Sequence, residues 1–233
     1  GYMNLGNSNV RSLTLGASAI NLSGIGWDMT TATNMTFSGA SSTITQTGNG
    51  AGFAGGGKTY GTVIMTISNT SHTITGENTF GALTWTGSAA KIPTISLSAN
   101  QTITGTLTIN GNSATNRVLV RSNILGTSRT LTAATTSISN ADFADITGAG
   151  AGNWNLAAIT GNSGDAGGNT GITFTTALTQ TATGTLSFSW STHGWTSRVP
   201  LPQDDVVINN AFSASQTVTL DMPRAGKSID WTG

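Results

Sequence analysis

Apolar residues alternate with Thr, Ser or Asn in short runs along most of the chain. Ser12-Leu13-Thr14-Leu15, Thr43-Ile44-Thr45, Val63-Ile64-Met65-Thr66-Ile67 and Leu83-Thr84-Trp85-Thr86 are clear cases, as are Thr106-Leu107-Thr108-Ile109 and Thr217-Val218-Thr219-Leu220. A period of two places alternate side chains on opposite faces of a strand, and the Gly, Asn and Ser between the runs supply turns. No long window places apolar residues at three-and-four spacing, and Thr, Ser, Asn and Gly are poor helix formers. The pattern predicts an all-β protein.

Hairpin folds want longer strands joined by tight Asn-Gly or Asp-Gly turns. Here the runs are about three to five residues long, Asn49-Gly50 sits in a glycine-rich stretch, and Asn110-Gly111 ends a run. Phe80-Gly81-Ala82-Leu83-Thr84-Trp85-Thr86-Gly87 is echoed by Lys227-Ser228-Ile229-Asp230-Trp231-Thr232-Gly233, and Thr73-Ile74-Thr75-Gly76 by Thr102-Ile103-Thr104-Gly105. Degenerate repeats of this kind belong to stacked coils, so the expected architecture is a parallel β-helix, or β-solenoid, with Gly/Asn/Ser-rich turns. Inward Leu, Ile, Val and Phe would stack on their counterparts, and outward Thr and Ser would form ladders.

The rhythm breaks after about residue 185. The next stretch carries Trp190, His193, Trp195 and the phrase Val199-Pro200-Leu201-Pro202-Gln203-Asp204-Asp205-Val206-Val207, and Pro is confined to edges and loops of sheets. The expected organisation is a solenoid over 1–185, an irregular junction over 186–216, and the start of a further solenoid segment over 217–233 of a longer protein.

Composition narrows the function classes. The 233 residues include 31 Gly and only 8% charged residues, against about 25% in an average globular domain. A 36% apolar fraction at regular intervals favours order over disorder. Nine basic residues balance nine acidic ones, which leaves no positive field to gather nucleic acid. The chain has no Cys, so disulfides, thiolate metal sites and Cys nucleophiles are excluded. No apolar run approaches the ~20 residues of a membrane helix, and the first ten residues lack the basic start and apolar run of a signal peptide.

Phe53-Ala54-Gly55-Gly56-Gly57-Lys58-Thr59-Tyr60, Ile74-Thr75-Gly76-Glu77-Asn78-Thr79-Phe80, Ala141-Asp142-Phe143-Ala144-Asp145-Ile146 and Leu201-Pro202-Gln203-Asp204-Asp205-Val206-Val207 together resemble the repetitive β-helix virion and surface proteins of tailed bacteriophages and related environmental viruses. The resemblance spans roughly residues 50–233. It implies a fibre, appendage or capsid-decorating element on a virion, extracellular or cell surface. The implied partners are copies of itself, other virion or surface proteins, or a host glycan. It carries over no catalytic residues.

The acidic residues are Glu77 and eight Asp. Asp142 and Asp145, three apart, fall on opposite faces of a strand and read as turn residues, not as the paired carboxylates of a glycosidase. Asp204 and Asp205 are candidate Ca²⁺ ligands, since hard cations take carboxylate and carbonyl oxygens; the plainer reading is a turn. The Gly164–Asn169 stretch reads as a loop. His72 and His193 lie far apart, and Gly57-Lys58-Thr59 lacks the preceding glycine of a phosphate-binding loop. Of the six Trp, Trp85 and Trp231 are expected in the core, Trp27 and Trp154 stay undecided, and Trp190 and Trp195 are the candidate sugar or partner contacts. The expected role is a structural, non-enzymatic surface protein without an obligatory cofactor. The alternatives are a glycan-, receptor- or ice-binding solenoid and a polysaccharide depolymerase.

Overall fold

The computed structural model describes residues 2–24, 26–48, 52–68, 71–89, 93–182, 187–209, 216–222 and 226–231. Asn49-Gly50, the boundary at 185/186 and the final Thr232-Gly233 lie outside them. Every described regular element is a strand. They run β1 (Tyr2–Asn4), β2 (Arg11–Thr14), β3 (Ala19–Leu22), β4 (Gly26–Asp28), β5 (Met35–Gln46), β6 (Gly52–Ala54) and β7 (Thr59–Ile67). Next come β8 (Ser71–Thr75), β9 (Thr79–Gly87), β10 (Thr94–Leu97), β11 (Gln101–Asn110), β12 (Val118–Ser122), β13 (Arg129–Ser139) and β14 (Ala141–Ala144). The remainder are β15 (Ile146–Ala149), β16 (Ser163–Asp165), β17 (Thr179–Thr181), β18 (Phe188–Ser189), β19 (Asp205–Val207), β20 (Val218–Thr219) and β21 (Ser228–Asp230).

The chain winds a parallel β-solenoid, as its alternation predicts. Short strands stack in the order β1-β4-β6-β8-β10-β12-β14-β16, and longer ones in the order β15-β13-β11-β9-β7-β5-β2, with β3 also on β5. Eight strands spaced about 4.8 Å apart give a stack about 34 Å tall. In the short-strand stack one coil advances the register by 21 to 26 residues: Phe53 pairs with Ile74, and Trp27 with Phe53.

Equivalent inward positions form columns. Ile95 lies over Val120 and Val120 over Phe143; Met65 lies over Trp85 and Trp85 over Ile109; all six belong to one continuous buried core. Near the N-terminal end Trp27, Phe53, Tyr60 and Phe80 pack ring against ring, with centroids 5.0–6.3 Å apart. The buried Tyr60 hydroxyl donates to the Gly55 carbonyl at 2.7 Å and accepts the Trp27 indole N–H at 3.1 Å. Burial pushes its pKa far above the ordinary tyrosine value, which keeps it a neutral donor.

Strand length departs from expectation. Thr102-Ile103-Thr104 and Thr106-Leu107-Thr108-Ile109 read as two runs but form the single β11, ten residues long. Gly105 marks the bend between them. The alternation breaks at the same place in β7 and β9, where Gly61 and Gly81 follow the buried Tyr60 and Phe80. A Cβ on Gly105 would sit 2.4 Å from the Gly81 carbonyl oxygen, and one on Gly81 would sit 3.0 Å from that of Gly61. Only glycine lets these backbones approach so closely at the corner.

Residues 186–216, expected as an irregular junction, contain β18 and β19. These pair in parallel within β17-β19-β21 and β18-β20. Ala182, Trp190, Val206, Ile208 and Met222 form a buried cluster separate from the main core. A further coil thus starts at Thr179, well before Thr217. The two Pro that disguise it, Pro200 and Pro202, stand just before β19 and outside its ladder.

Candidate functional site

The outer surface of β3, β5, β7, β9, β11 and β13 carries aligned columns of mostly small polar side chains, interrupted by Ile64 and Ala82. One column runs Thr43, Thr62, Ala82; the next runs Asn21, Thr45, Ile64, Thr84, Thr108, Ser137; a third runs Thr66, Thr86, Asn110, Ser139. Thr106 and Thr135 stand opposite each other, with their hydroxyls 2.7 Å apart. None of these positions is charged. The breaks in register fall between Gly39 and Thr43 and between Ile103 and Thr106, ahead of the grid. Coils of unequal length therefore present their threonines in line, because corner loops absorb the extra residues. The surface can offer many equivalent, uncharged hydrogen-bonding groups.

Around the corner a second column runs Thr59, Thr79, Thr102, Thr132. It borders an open cleft of about 400 Å³ lined by Glu77, Asn78, Asn100, Gln101 and Thr130 together with three of those threonines. Its floor is a buried amide pair. Asn78 Nδ2 donates to Gln101 Oε1 at 3.0 Å and to the carbonyls of Thr75 and Gly76, and Gln101 Nε2 donates to those of Gly76 and Ala99.

A cleft of about 600 Å³ lies where the two cores meet, between Asp165, Ala166, Gly167 and Ala177 on one side and Pro202, Gln203, Gly226 and Lys227 on the other. Gln203 crosses this junction to bond the main-chain groups of Ser163, Asp165 and Thr175. The Asp165 carboxylate closes its own loop by accepting the Gly167 amide and the Asn169 side chain.

The acidic residues singled out by sequence hold structural positions. Asp142 is buried and accepts the Arg117 guanidinium at 2.8 Å. That guanidinium also donates to the carbonyls of Gly161, Ala141 and Asn162, so one side chain ties three coils. Asp145 ends β14 in a left-handed conformation, φ 55°, and its carboxylate accepts the Gly126 amide. Turn formation is thus its role, but Asp142, also expected in a turn, lies within β14 and is enclosed by the arginine.

For Asp204 and Asp205 the geometry opposes shared metal ligation. Asp204 is fully buried: Oδ1 accepts Arg198 Nη2 at 2.6 Å and the Leu178 amide at 2.8 Å, while Oδ2 accepts Arg198 Nε at 3.1 Å and the Leu201 amide at 2.8 Å. A cation, Arg198, already satisfies it. Asp205, next in an extended chain, points the other way and bonds Ser228 outside. Among the described residues no three His, Asp or Glu side chains converge on a metal position.

The expected contact pair separates by layer. Trp190 is wholly buried in the second core and presents no face to a sugar. Half-buried Trp195 lies against it, centroids 4.6 Å apart, with its N–H donated to the Trp190 carbonyl. His193 stacks on Phe188 at 3.8 Å and meets Trp195 edge-on; burial lowers its pKa. Trp27, Trp85 and Trp154 are buried, whereas Trp231, expected in the core, is 54% exposed. The buried His72 meets Ser68 at 3.4 Å, and Lys58 donates to the Met35 carbonyl.

Sequence reasoning missed Arg117, Asn78, Gln101 and Gln203. Arg117 and Asn78 stand directly before β12 and β9, Gln101 opens β11, and Gln203 stands two residues before β19. No family model matches the chain, and neither a curated protein nor a solved structure does.

Proposed function

We propose that the chain is a structural element of a virion or cell surface: a rigid spacer or decorating rod that contacts copies of itself, neighbouring surface proteins or a host glycan. The observation that carries this reading is the use of the few charged and amide side chains as stitches between coils. Arg117 spans three coils, the Asn78–Gln101 pair spans two, and Arg198 fills Asp204. Asp142 and Asp204, two of the few carboxylates, are taken up by arginines inside the solenoid. A solenoid built so lengthens in one dimension and resists bending, since every coil is bonded and packed to the next.

The resemblance to phage and environmental-virus β-helix proteins points to the same role and to a non-catalytic one. Immunogold electron microscopy of native particles and cells tests it. Label on the particle or cell surface is the expected result. Label confined to soluble fractions, away from any particle or envelope, overturns it.

A further inference from the structure

We infer that the grid on β3, β5, β7, β9, β11 and β13 is an ice-binding face. The inference rests on the register of the coils, independently of any surface or virion role. The dimensions come first. Successive coils set the columns about 4.8 Å apart in one direction, and a two-residue advance along parallel strands sets them about 6.6 Å apart in the other. Water hydrogen-bonded tetrahedrally at about 2.75 Å has second-neighbour oxygens about 4.5 Å apart and a perpendicular repeat of about 7.3 Å in its hexagonal crystal. The mismatches are about 0.3 Å per coil along the rod and about 0.7 Å per two residues along the strand.

Side-chain chemistry points the same way. Threonine puts a methyl and a hydroxyl on one stiff branched carbon, so a column of them orders donors and apolar surface together. Thr43 and Thr45 on β5 stand opposite Thr62 and Ile64 on β7, and Thr84 and Thr86 on β9 stand between Ile64 and Thr66 on β7 and Thr108 and Asn110 on β11, so threonine recurs across the coils with breaks at Ile64 and Asn110. A face evolved only for solubility would carry Lys or Glu, which hold mobile, disordered hydration; this one has none. Crystalline polysaccharide is the competing ordered surface. Its repeat is set by sugar rings in chains, and nothing on this face supplies the aromatic platforms that stack on such rings.

Native protein should show thermal hysteresis and shape ice crystals in a nanolitre osmometer. Replacing Thr45, Thr84 and Thr108 by Lys should abolish both, with circular dichroism verifying the fold. The matching triple at Thr59, Thr79 and Thr102, around the corner, should leave both intact. Absence of any ice effect from folded native protein overturns the inference. So does an effect that survives the first triple, one lost equally in both, or adsorption to crystalline chitin or cellulose with no action on ice.

Discussion

Gln203 stands to Asp165 as the next strand would. In a parallel ladder one residue of the incoming strand accepts an N–H and donates to the carbonyl two residues earlier. The Gln203 side chain does both, accepting the Asp165 amide at 2.9 Å and donating to the Ser163 carbonyl at 3.0 Å, with a further bond to the Thr175 carbonyl. It closes the outer edge of β16, which pairs only with β14.

Unpaired edges recruit other chains. Gln203→Ala should cost about 2 kcal/mol, from three bonds worth about 0.5–1.5 each. Hydrogen exchange at the Asp165 amide should speed up and light scattering should show concentration-dependent association. Gln203→Glu, which keeps the acceptor and loses the donor, should leave the Asp165 amide protected while losing the bonds to the Ser163 and Thr175 carbonyls. Unchanged exchange at Asp165 in Gln203→Ala would remove this role from the side chain.

Arg117 and Asp142 make a buried pair, and removing one partner strands a charge. Asp142→Ala should destabilise by about 3–5 kcal/mol, and the double variant Arg117→Met with Asp142→Leu by clearly less. Denaturant melts of the three proteins decide this; equal losses for single and double variants would contradict it.

At the corner, Gly105→Ala should be worse than Gly81→Ala, because the added methyl would meet the carbonyl below at 2.4 Å in the first and 3.0 Å in the second. Overpacking of this kind costs about 1–3 kcal/mol. Thermal denaturation ranks the two, and the reverse order would show that the backbone yields more easily at Gly105.

His193 gives the second core a pH dependence. Burial lowers its folded pKa below the usual 6.5, so the unfolded chain binds the proton more readily. The stability it contributes is full above pH 6.5 and is lost as pH falls below that value toward the folded pKa. Melting should therefore shift down between pH 7.5 and pH 5.5, and His193→Phe should flatten the shift. A shift of equal size in His193→Phe would assign it to other groups.

Alternation made the strands legible, and the degenerate Thr-Ile-Thr-Gly phrases made the coil legible. Two features hid from the same reading. Gly61, Gly81 and Gly105 look like strand ends but are bends inside strands, because what they accommodate is a carbonyl one coil away and not a turn in their own neighbourhood. The second coil, which starts at Thr179, was masked by Pro200 and Pro202, although both precede the strand that begins at Asp205.

The site residues divided for a related reason. Trp190 and Asp204 both occur in a stretch that looked loose, yet both are fully buried. Val206, paired with Gln180 26 residues earlier, joins Trp190 in the second core, and Asp204 accepts the Leu178 amide, likewise 26 residues earlier. Asp204 could have been read from Arg198 six residues before it, and Trp190 from Trp195 five residues after it.

Because corner loops take up differences in coil length while the columns stay aligned, the solenoid tolerates splicing at its corners. The turn around Ile124 and Leu125, both exposed, lies between β12 and β13 without entering either ladder. A foreign peptide inserted there would be carried outward on a rod whose repeat it does not disturb, which makes the fold a natural display scaffold.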